Sequence, residues 1–467
     1  MVEARRVVVI SDIHLGEAAE MMSRPWELAT FIDGLAPRAT EDLELVVAGD
    51  FIDYLAIPPF RSWTPDPVAA VEKLTFLERE PFDGVTRAFR QFLKRGNALT
   101  LLIGNHDVEL CLPAVQNKLL ELFSGRPNQV QFRSDGSAYT IGKLLIEHGN
   151  RYDNANITDW DGLRAMCSAQ SRNEDYRDIT VEVCAGSQLV ERVLNPLKLS
   201  GYKFLDLIKP QNEVVALLLL ALEPDLRWKW SALVQAFRAS RLQSSNRHGT
   251  RPSRPRNVAA HPIDEIIPAW RRQLEREFGL AYHDLLTSNA HPVGAADWAS
   301  LICTPQRNGV KALLERGEHI PTEQLRRIRA SMRPLLVPDS DDTAQYGRAA
   351  TFLNSVGFQT VVMGHTHLPR QVSGGSPGRA SYINCGTWID SIELPVQLLD
   401  EPSSLPNSES SSTGETQSSV SPPDPLEVVL HQLIQNSYPR NFSPNWAEIR
   451  LGVDGEVKSA RLEGGRR

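Results

Sequence analysis

The 467-residue chain is poor in the features that mark secreted or membrane proteins. Its five cysteines (Cys111, Cys167, Cys184, Cys303 and Cys385) are odd in number, scattered, and contain no Cys-x-x-Cys pair. That pattern excludes a disulfide framework and a cysteine zinc site, and it predicts free thiols in a reducing compartment. Long apolar runs are missing too. The longest, Val214–Leu222, is roughly half of what a bilayer crossing needs. The N-terminal Val7–Ile10 run is too short for a signal-peptide core and leads straight into a candidate ligand motif, so no leader is expected. There is no strong excess of one charge: the formal net charge is −7, with 23% charged and 41% hydrophobic residues. These values fit a globular protein with a large core and say nothing sharp about partners. The expected location is cytoplasmic.

What the chain does have is a series of five short motifs, each following an apolar, β-branched run. They are Asp12-Ile13-His14, Gly49-Asp50-Phe51-Ile52-Asp53, Gly104-Asn105-His106-Asp107, Glu147-His148-Gly149 and Gly364-His365-Thr366-His367. The preceding runs (Val7–Ile10, Leu45–Val47, Leu99–Ile103, Leu144–Ile146 and Val361–Met363) read as strands buried on both faces. Helical spacing falls between them: Trp26, Leu28, Ala29, Phe31, Ile32 and Leu35 mark one helix. Another is expected near Val68–Leu93, interrupted by Pro81. Alternating strand and helix predicts an α/β fold with ligands on loops at the carboxyl ends of the strands.

Phosphorus in an ester is shielded by negative oxygens. Two divalent ions neutralise that charge, supply a hydroxide at neutral pH and support in-line displacement. Such a centre needs carboxylate and amide oxygens plus imidazoles, and Asp12, His14, Asp50, Asn105, His148, His365 and His367 meet that need. The x-spaced pairs 12/14 and 365/367 are each expected to share a face in extended backbone, with His365 and His367 serving different ions. The mixed nitrogen and oxygen donors suit Mn first, then Fe or Zn, better than Ca or Mg. His106 stands beside a ligand and is a candidate general acid, its tautomer fixed by Asp53 or Asp107. Gly49, Gly104 and Gly364 end strands where the backbone turns and passes close to metal or phosphate. Arg151, Asn154 and Arg370 are candidate substrate contacts, and Asn156 is a further one. Elsewhere His248, His261, His283, His291, His319 and His431 have no partner motif and read as ordinary polar residues.

These motifs resemble the calcineurin-like metallophosphoesterase superfamily over roughly residues 5–153 and 345–395. The resemblance implies a four-layer α/β/β/α sandwich of two mixed sheets. One ion would take Asp12, His14, Asp50 and His367, and the other Asp50, Asn105, His148 and His365. A metal-bridging hydroxide would attack phosphorus, and His106, oriented by Asp53, would protonate the leaving oxygen. Tyr54 stands where the phosphoprotein phosphatases carry a phosphate-gripping arginine. The wording Gly-Asp-Phe-Ile-Asp-Tyr, Gly-His-Thr-His-Leu-Pro and Asn384-Cys-Gly-Thr-Trp388 is nearer the UDP-2,3-diacylglucosamine pyrophosphatase branch. That branch has Asp after His-Gly; this chain has Asn150, with Asp153 nearby.

The expected organisation is a catalytic core of residues 1–153 and 344–398, split by a helical insertion (a cap) over 154–343. Its expected helices are Ile179–Leu194, Glu213–Leu222, Leu226–Leu242, Ile263–Phe278 and Gln324–Leu336. Residues 399–425, rich in serine, proline and acids, form an expected disordered linker. A segment over 426–467 carries a hairpin signal at Trp446–Val453 and Val457–Leu462 that rejoins the core sheet. Ser373–Arg379 reads as a turn between strands.

The function read from all this is metal-dependent cleavage of a phosphodiester, pyrophosphate or phosphomonoester, on a small-molecule or lipid-linked substrate. Two alternatives stand. A nuclease would use the basic arm Arg241–Arg256, with its five arginines and no acids, to hold nucleic acid. A non-catalytic metal-binding interaction protein would keep the centre without turnover. Trp228 and Trp230, either side of Lys229, suit peripheral membrane contact.

Overall fold

A computed structural model describes residues 4–17, 23–35, 41–153, 156–176, 178–207, 218, 221–224, 308–336, 344–375, 378–400 and 423–465. Its first half builds one sheet from strands β1 (Ala4–Ile10), β2 (Glu41–Ala48), β3 (Ala98–Leu102) and β4 (Val130–Arg133). All four run parallel. Helix α1 (Pro25–Gly34) crosses from β1 to β2. Helices α2 (Pro67–Glu72) and α3 (Asp83–Lys94) lead to β3, and α4 (Pro113–Phe123) leads to β4. Proline opens α1, α2 and α4, where its missing N–H costs nothing. The expected 68–93 helix is thus two helices joined by a 3-10 turn, Lys73–Glu78, with Pro81 in the break.

Strands β5 (Tyr139–Ile141) and β6 (Leu144–Ile146) begin a second sheet. The chain then enters the insertion. Its described elements are α5 (Trp160–Ser171), α6 (Ala185–Leu189), a π-helical turn Val190–Leu194, α7 (Asn195–Ser200), α8 (Val310–Glu315) and α9 (Thr322–Leu336). Helix α10 (Ala344–Ser355) returns to β7 (Thr360–Met363), followed by the antiparallel pair β8 (Arg370–Ser373) and β9 (Ala380–Asn384). The second sheet has the order β5-β6-β7-β9-β8 and mixes parallel with antiparallel pairs. After α11 (Pro425–Ile434) come β10 (Asn445–Gly452) and β11 (Val457–Gly464). They form a hairpin that pairs with β1 in antiparallel register, Ala4 opposite Gly452, giving a six-stranded mixed sheet.

The continuous apolar runs have a direct use, because each strand is covered on both faces. From β1, Val7 and Val9 face the second sheet and pack with Ile146, Val362, Ile383 and Ile449. Val8 and Ile10 face the other way, into the layer formed by α1, α3 and α4. On the far side of the second sheet, Leu145, Val361 and Met363 meet Tyr346 and Ala350 of α10. The result is a four-layer α/β/β/α sandwich.

A second core joins parts distant in sequence. Leu325 and Ile328 of the insertion pack with Ile389, Leu398 and the α11 residues Leu426 and Leu430. Buried Arg329 grips both carboxylate oxygens of Asp424, at 2.5 and 2.6 Å, and Asp424 also caps α11. The expected linker therefore gives way to ordered chain before residue 425; residues 401–422 lie outside the described region.

Other expectations shift. Residues Ile179–Cys184 are not helical, and Val181 instead reaches the main core beside Leu163 and Met166, so the helix starts only at Ala185. Gln324–Leu336 falls inside α9. Trp26, one of the residues whose spacing marks α1, is 59% exposed, and the buried face is made by Pro25, Leu28, Ala29 and Ile32. The expected helices Leu226–Leu242 and Ile263–Phe278 lie outside the described residues, as do Asn154, Trp228, Trp230 and the Arg241–Arg256 arm.

Candidate metal centre

Five loops at the carboxyl ends of β1, β2, β3, β6 and β7 bring the seven candidate ligands together. The first two loops are sewn to each other by main-chain bonds: Ile13 and His14 both donate to Asp50 O, at 2.9 Å each, and Asp12 N donates to Gly49 O at 3.2 Å. Gly364 N donates to His148 O, and Trp388 N to Asp12 O. The backbone is not extended here, contrary to the reading from spacing. Asp12 (φ 54°), His14 (51°), Asp50 (51°), His365 (70°) and His367 (58°) are all left-handed. For a non-glycine residue that conformation costs roughly 1–2 kcal/mol. Strain concentrated on five candidate ligands is a mark of a functional site, stabilised by the surrounding loops.

Close packing explains the glycines. A Cβ at Gly104 would overlap the Asp50 carboxylate, and one at Gly364 would overlap Ser11 and Asp12. Gly49 has φ +91° and lies against the His148 ring.

Within the centre, Asp12, His14 and His367 form one group that could hold a cation, and Asp50, His148 and His365 form another. Asp50 bridges them: its Oδ2 is 3.2 Å from His148 Nε2 and 3.7 Å from His14 Nε2. Asn105 adds its amide oxygen 3.3 Å from His148 Nε2. His365 and His367 thus fall in different groups.

Two observations test whether cations fit. The Nε2 atoms of His14 and His367 approach to 3.1 Å. Both also approach Asp12 Oδ1, a buried oxygen with no well-aligned hydrogen-bond donor although His367 Nε2 is 3.1 Å away. Two imidazole nitrogens and a carboxylate oxygen that converge this closely suit a metal ion. Electrostatics agrees. Burial alone would raise the carboxylates of Asp12, Asp50 and Asp53, yet neighbouring imidazoles (chiefly His367, His148 and His106 respectively) hold all three well below the usual range. Burial alone would lower His148; Asp50 outweighs it and pushes the ring up to about 10. Protons on histidines supply the positive charge that ions would bring, and they would leave on metal binding.

Three of the four ligand imidazoles have one nitrogen engaged by an outer partner. His14 Nδ1 lies 3.2 Å from Asp53 Oδ2, and His148 Nδ1 donates to Ala48 O at 2.9 Å. His365 is held from its other end, with Nε2 3.0 Å from Asp153 Oδ2. Such outer partners fix the tautomer and aim the remaining lone pair.

His106 Nδ1 pairs with Asp53 Oδ1 at 3.1 Å, and Asp53 is itself fixed by the N–H groups of Leu55 and Ala56. Burial works against a charged His106, but Asp53 and Asp50 raise it to about 9. Asp107, the other candidate partner, has a different task. Its carboxylate accepts from Phe51 N and Gly104 N, both at 2.7 Å, tying the β2 and β3 loops together. Burial and the charge of Asp50 push it up to about 7.

The candidate substrate contacts fare unevenly. Arg151 is bound to Glu147 and to the Gly136 carbonyl. Arg370 opens β8 and lies exposed. Asn150 is buried and ties Asn156 O to Thr158 Oγ1. Sequence reading missed Ser11, which donates to Asp12 Oδ2 at 2.6 Å, and Lys73, which reaches Tyr54 O from α2's end. Neither sits in a motif. Thr387, in the quoted Asn-Cys-Gly-Thr-Trp stretch, holds the Asp12 carbonyl at 2.8 Å.

No curated protein matches the chain. Residues 5–190, which carry four of the five motifs, match the family model for calcineurin-like phosphoesterases. Two mixed sheets between helices and two Asp/His groups meeting at their strand ends agree with that match to the superfamily of metal-dependent phosphoester hydrolases.

Proposed function

We propose that the protein hydrolyses a phosphoester or pyrophosphate bond in a small-molecule or lipid-linked substrate, with His106 as general acid. The carrying observation is the placement of His106 in a third group with His14 and Asp50, so that a proton donor adjoins both halves of the centre. Two divalent ions, Mn first among them, would be held by Asp12, His14, Asp50 and His367 and by Asp50, Asn105, His148 and His365; when bound they supply charge neutralisation and an acidic water. The chain's own residues do the rest. Asp53 accepts the His106 Nδ1 proton, which leaves the Nε2–H to be given to the departing oxygen. In the metal-free site the Asp53 and Asp50 carboxylates raise the affinity of His106 for its proton. Asp107 keeps the two loops in register while that proton moves.

Specificity falls to the insertion, acting as a cap. Beside Asn105, Val181, Cys184 and Ser187 of the insertion close against Ser62, Trp63 and Val108 of the core, leaving room for about one water. Tyr54, at the place of a phosphate-gripping arginine, is buried and hydrogen-bonds inward to Ala70 O at 3.5 Å. Tyr54 at that position supports a substrate other than a phosphoprotein, as does the pyrophosphatase-like wording of the motifs.

The test is hydrolysis of bis-p-nitrophenyl phosphate and p-nitrophenyl phosphate with added Mn²⁺. Metal-dependent turnover that disappears in Asp50→Asn and His106→Ala is the expected result. Bound metal with no dependence of turnover on His106 would overturn the general-acid assignment.

A further inference from the structure

The two halves of the centre differ in what holds them, and the difference leads outward to the cap. Asp153 Oδ2 is 3.0 Å from His365 Nε2 and accepts a 2.8 Å bond from Asn156 Nδ2. Asn156 in turn meets the start of α6. Its Oδ1 accepts from Cys184 Sγ at 3.8 Å, and a Cβ on Gly186 would overlap that same oxygen. One residue further, Ser187 Oγ donates to Asn105 O at 3.3 Å. The first turn of α6 therefore bears on two residues, His365 and Asn105, that belong to one and the same half.

We propose that Asp153 is a positioning residue for the Asp50–Asn105–His148–His365 half, and that through Asn156 it makes occupancy of that half depend on the seating of the cap. This rests on the two-ion reading above. The chemistry is that of a carboxylate–histidine–metal relay. By accepting the Nε2 proton, Asp153 leaves His365 with its lone pair on Nδ1 and restrains the ring. Without that acceptor His365 can rotate or take the other tautomer, and one of four donors is lost. The contact with Gly186 adds a steric condition: Asn156 keeps its place because no side chain stands on the cap at that point.

The measurement is Mn²⁺ binding to metal-free protein, by calorimetry and by the electron spin resonance of unbound Mn²⁺. Four proteins are compared: wild type, Asp153→Ala, Asp153→Asn and Gly186→Ala. Wild type is expected to take two ions. Asp153→Ala keeps one at wild-type affinity and binds the other about 10–100-fold more weakly. Asp153→Asn, whose amide oxygen still accepts from Nε2, retains most of the affinity. Gly186→Ala weakens the same ion from the cap side. Melting of the metal-free proteins reports whether a variant has lost its fold, and Asp153, with its side chain 30% exposed, is not expected to matter there. To identify the ion, Asp153→Ala is repeated in a His365→Ala background, where it should add nothing. Two ions bound by Asp153→Ala as tightly as by wild type would overturn the relay and leave the proposed function standing. Fewer than two ions on wild type would instead remove the two-ion reading itself.

Discussion

Two neighbouring candidate cation positions sit on one sandwich, yet they are built in different ways. The Asp12–His14–His367 position rests on the central strand loops. Ser11, Thr387 and Trp388 hold Asp12, and Asp53, fixed by its own turn, holds His14. The Asp50–Asn105–His148–His365 position shares that footing through Asp50 and His148 Nδ1, but His365 and Asn105 also lean on chain from the insertion side. The contacts named for the first position come from the strand-end loops and from the turn that follows Asp53. The second is where, on the proposal above, the insertion acts on the centre, through Asp153 and through the Asn105 carbonyl.

The largest expected effect comes from breaking what the two positions share. Asp50→Asn removes the bridging charge, so turnover should fall by more than the loss of a general acid costs, with weakened binding of both ions in calorimetry. Next is His106→Ala, which should lower kcat roughly 10²–10⁴-fold while metal stoichiometry stays at the wild-type value. A matching fall in metal content would show that His106 acts as a ligand instead. Asp12→Asn and Asp153→Ala sharpen the contrast between the positions. Each should weaken a different ion, and mixing the two changes should weaken both. Asp107→Asn leaves at least one of the Phe51 and Gly104 N–H groups without its acceptor, and should cost about 1–3 kcal/mol in denaturant unfolding. Smallest for the chemistry is Ile449→Ala, buried between the sheets. It should lower stability by about 2–5 kcal/mol, with kcat per folded molecule unchanged.

Much of the site was legible because its residues are forced by chemistry. Few side chains besides Asp, His and Asn can bind such ions, and the strand-ending glycines are needed where any Cβ would strike Asp50 or Asp12. The strands were legible for a related reason: Val7–Ile10 must be apolar on both faces to lie between two layers. What could not be read was the local geometry. Spacing alone suggested extended backbone at Asp12 and His14, but the main-chain bonds to Asp50 O select left-handed conformations, a tertiary effect. Residues 179–184 look apolar enough for a helix, yet Val181 is claimed by the main core. The second core was also hidden, because α9, Leu398 and α11 combine across long sequence distances and their pattern names no partner.

The hairpin of β10 and β11 carries a last consequence, for the order in which the molecule is made. Strand β1 is made just before β2, its parallel neighbour, but its other edge stays bare until residues 447–452 have been synthesised. Val7 and Val9 await Ala447 and Ile449 on the same terms. The loop that begins at Asp12 hangs from that half-finished strand, and His365 and His367 are also late arrivals. A nascent chain therefore holds Asp50, Asn105 and His148 long before it can complete either position, and β1 gains its second neighbour only after all seven candidate ligands have been made.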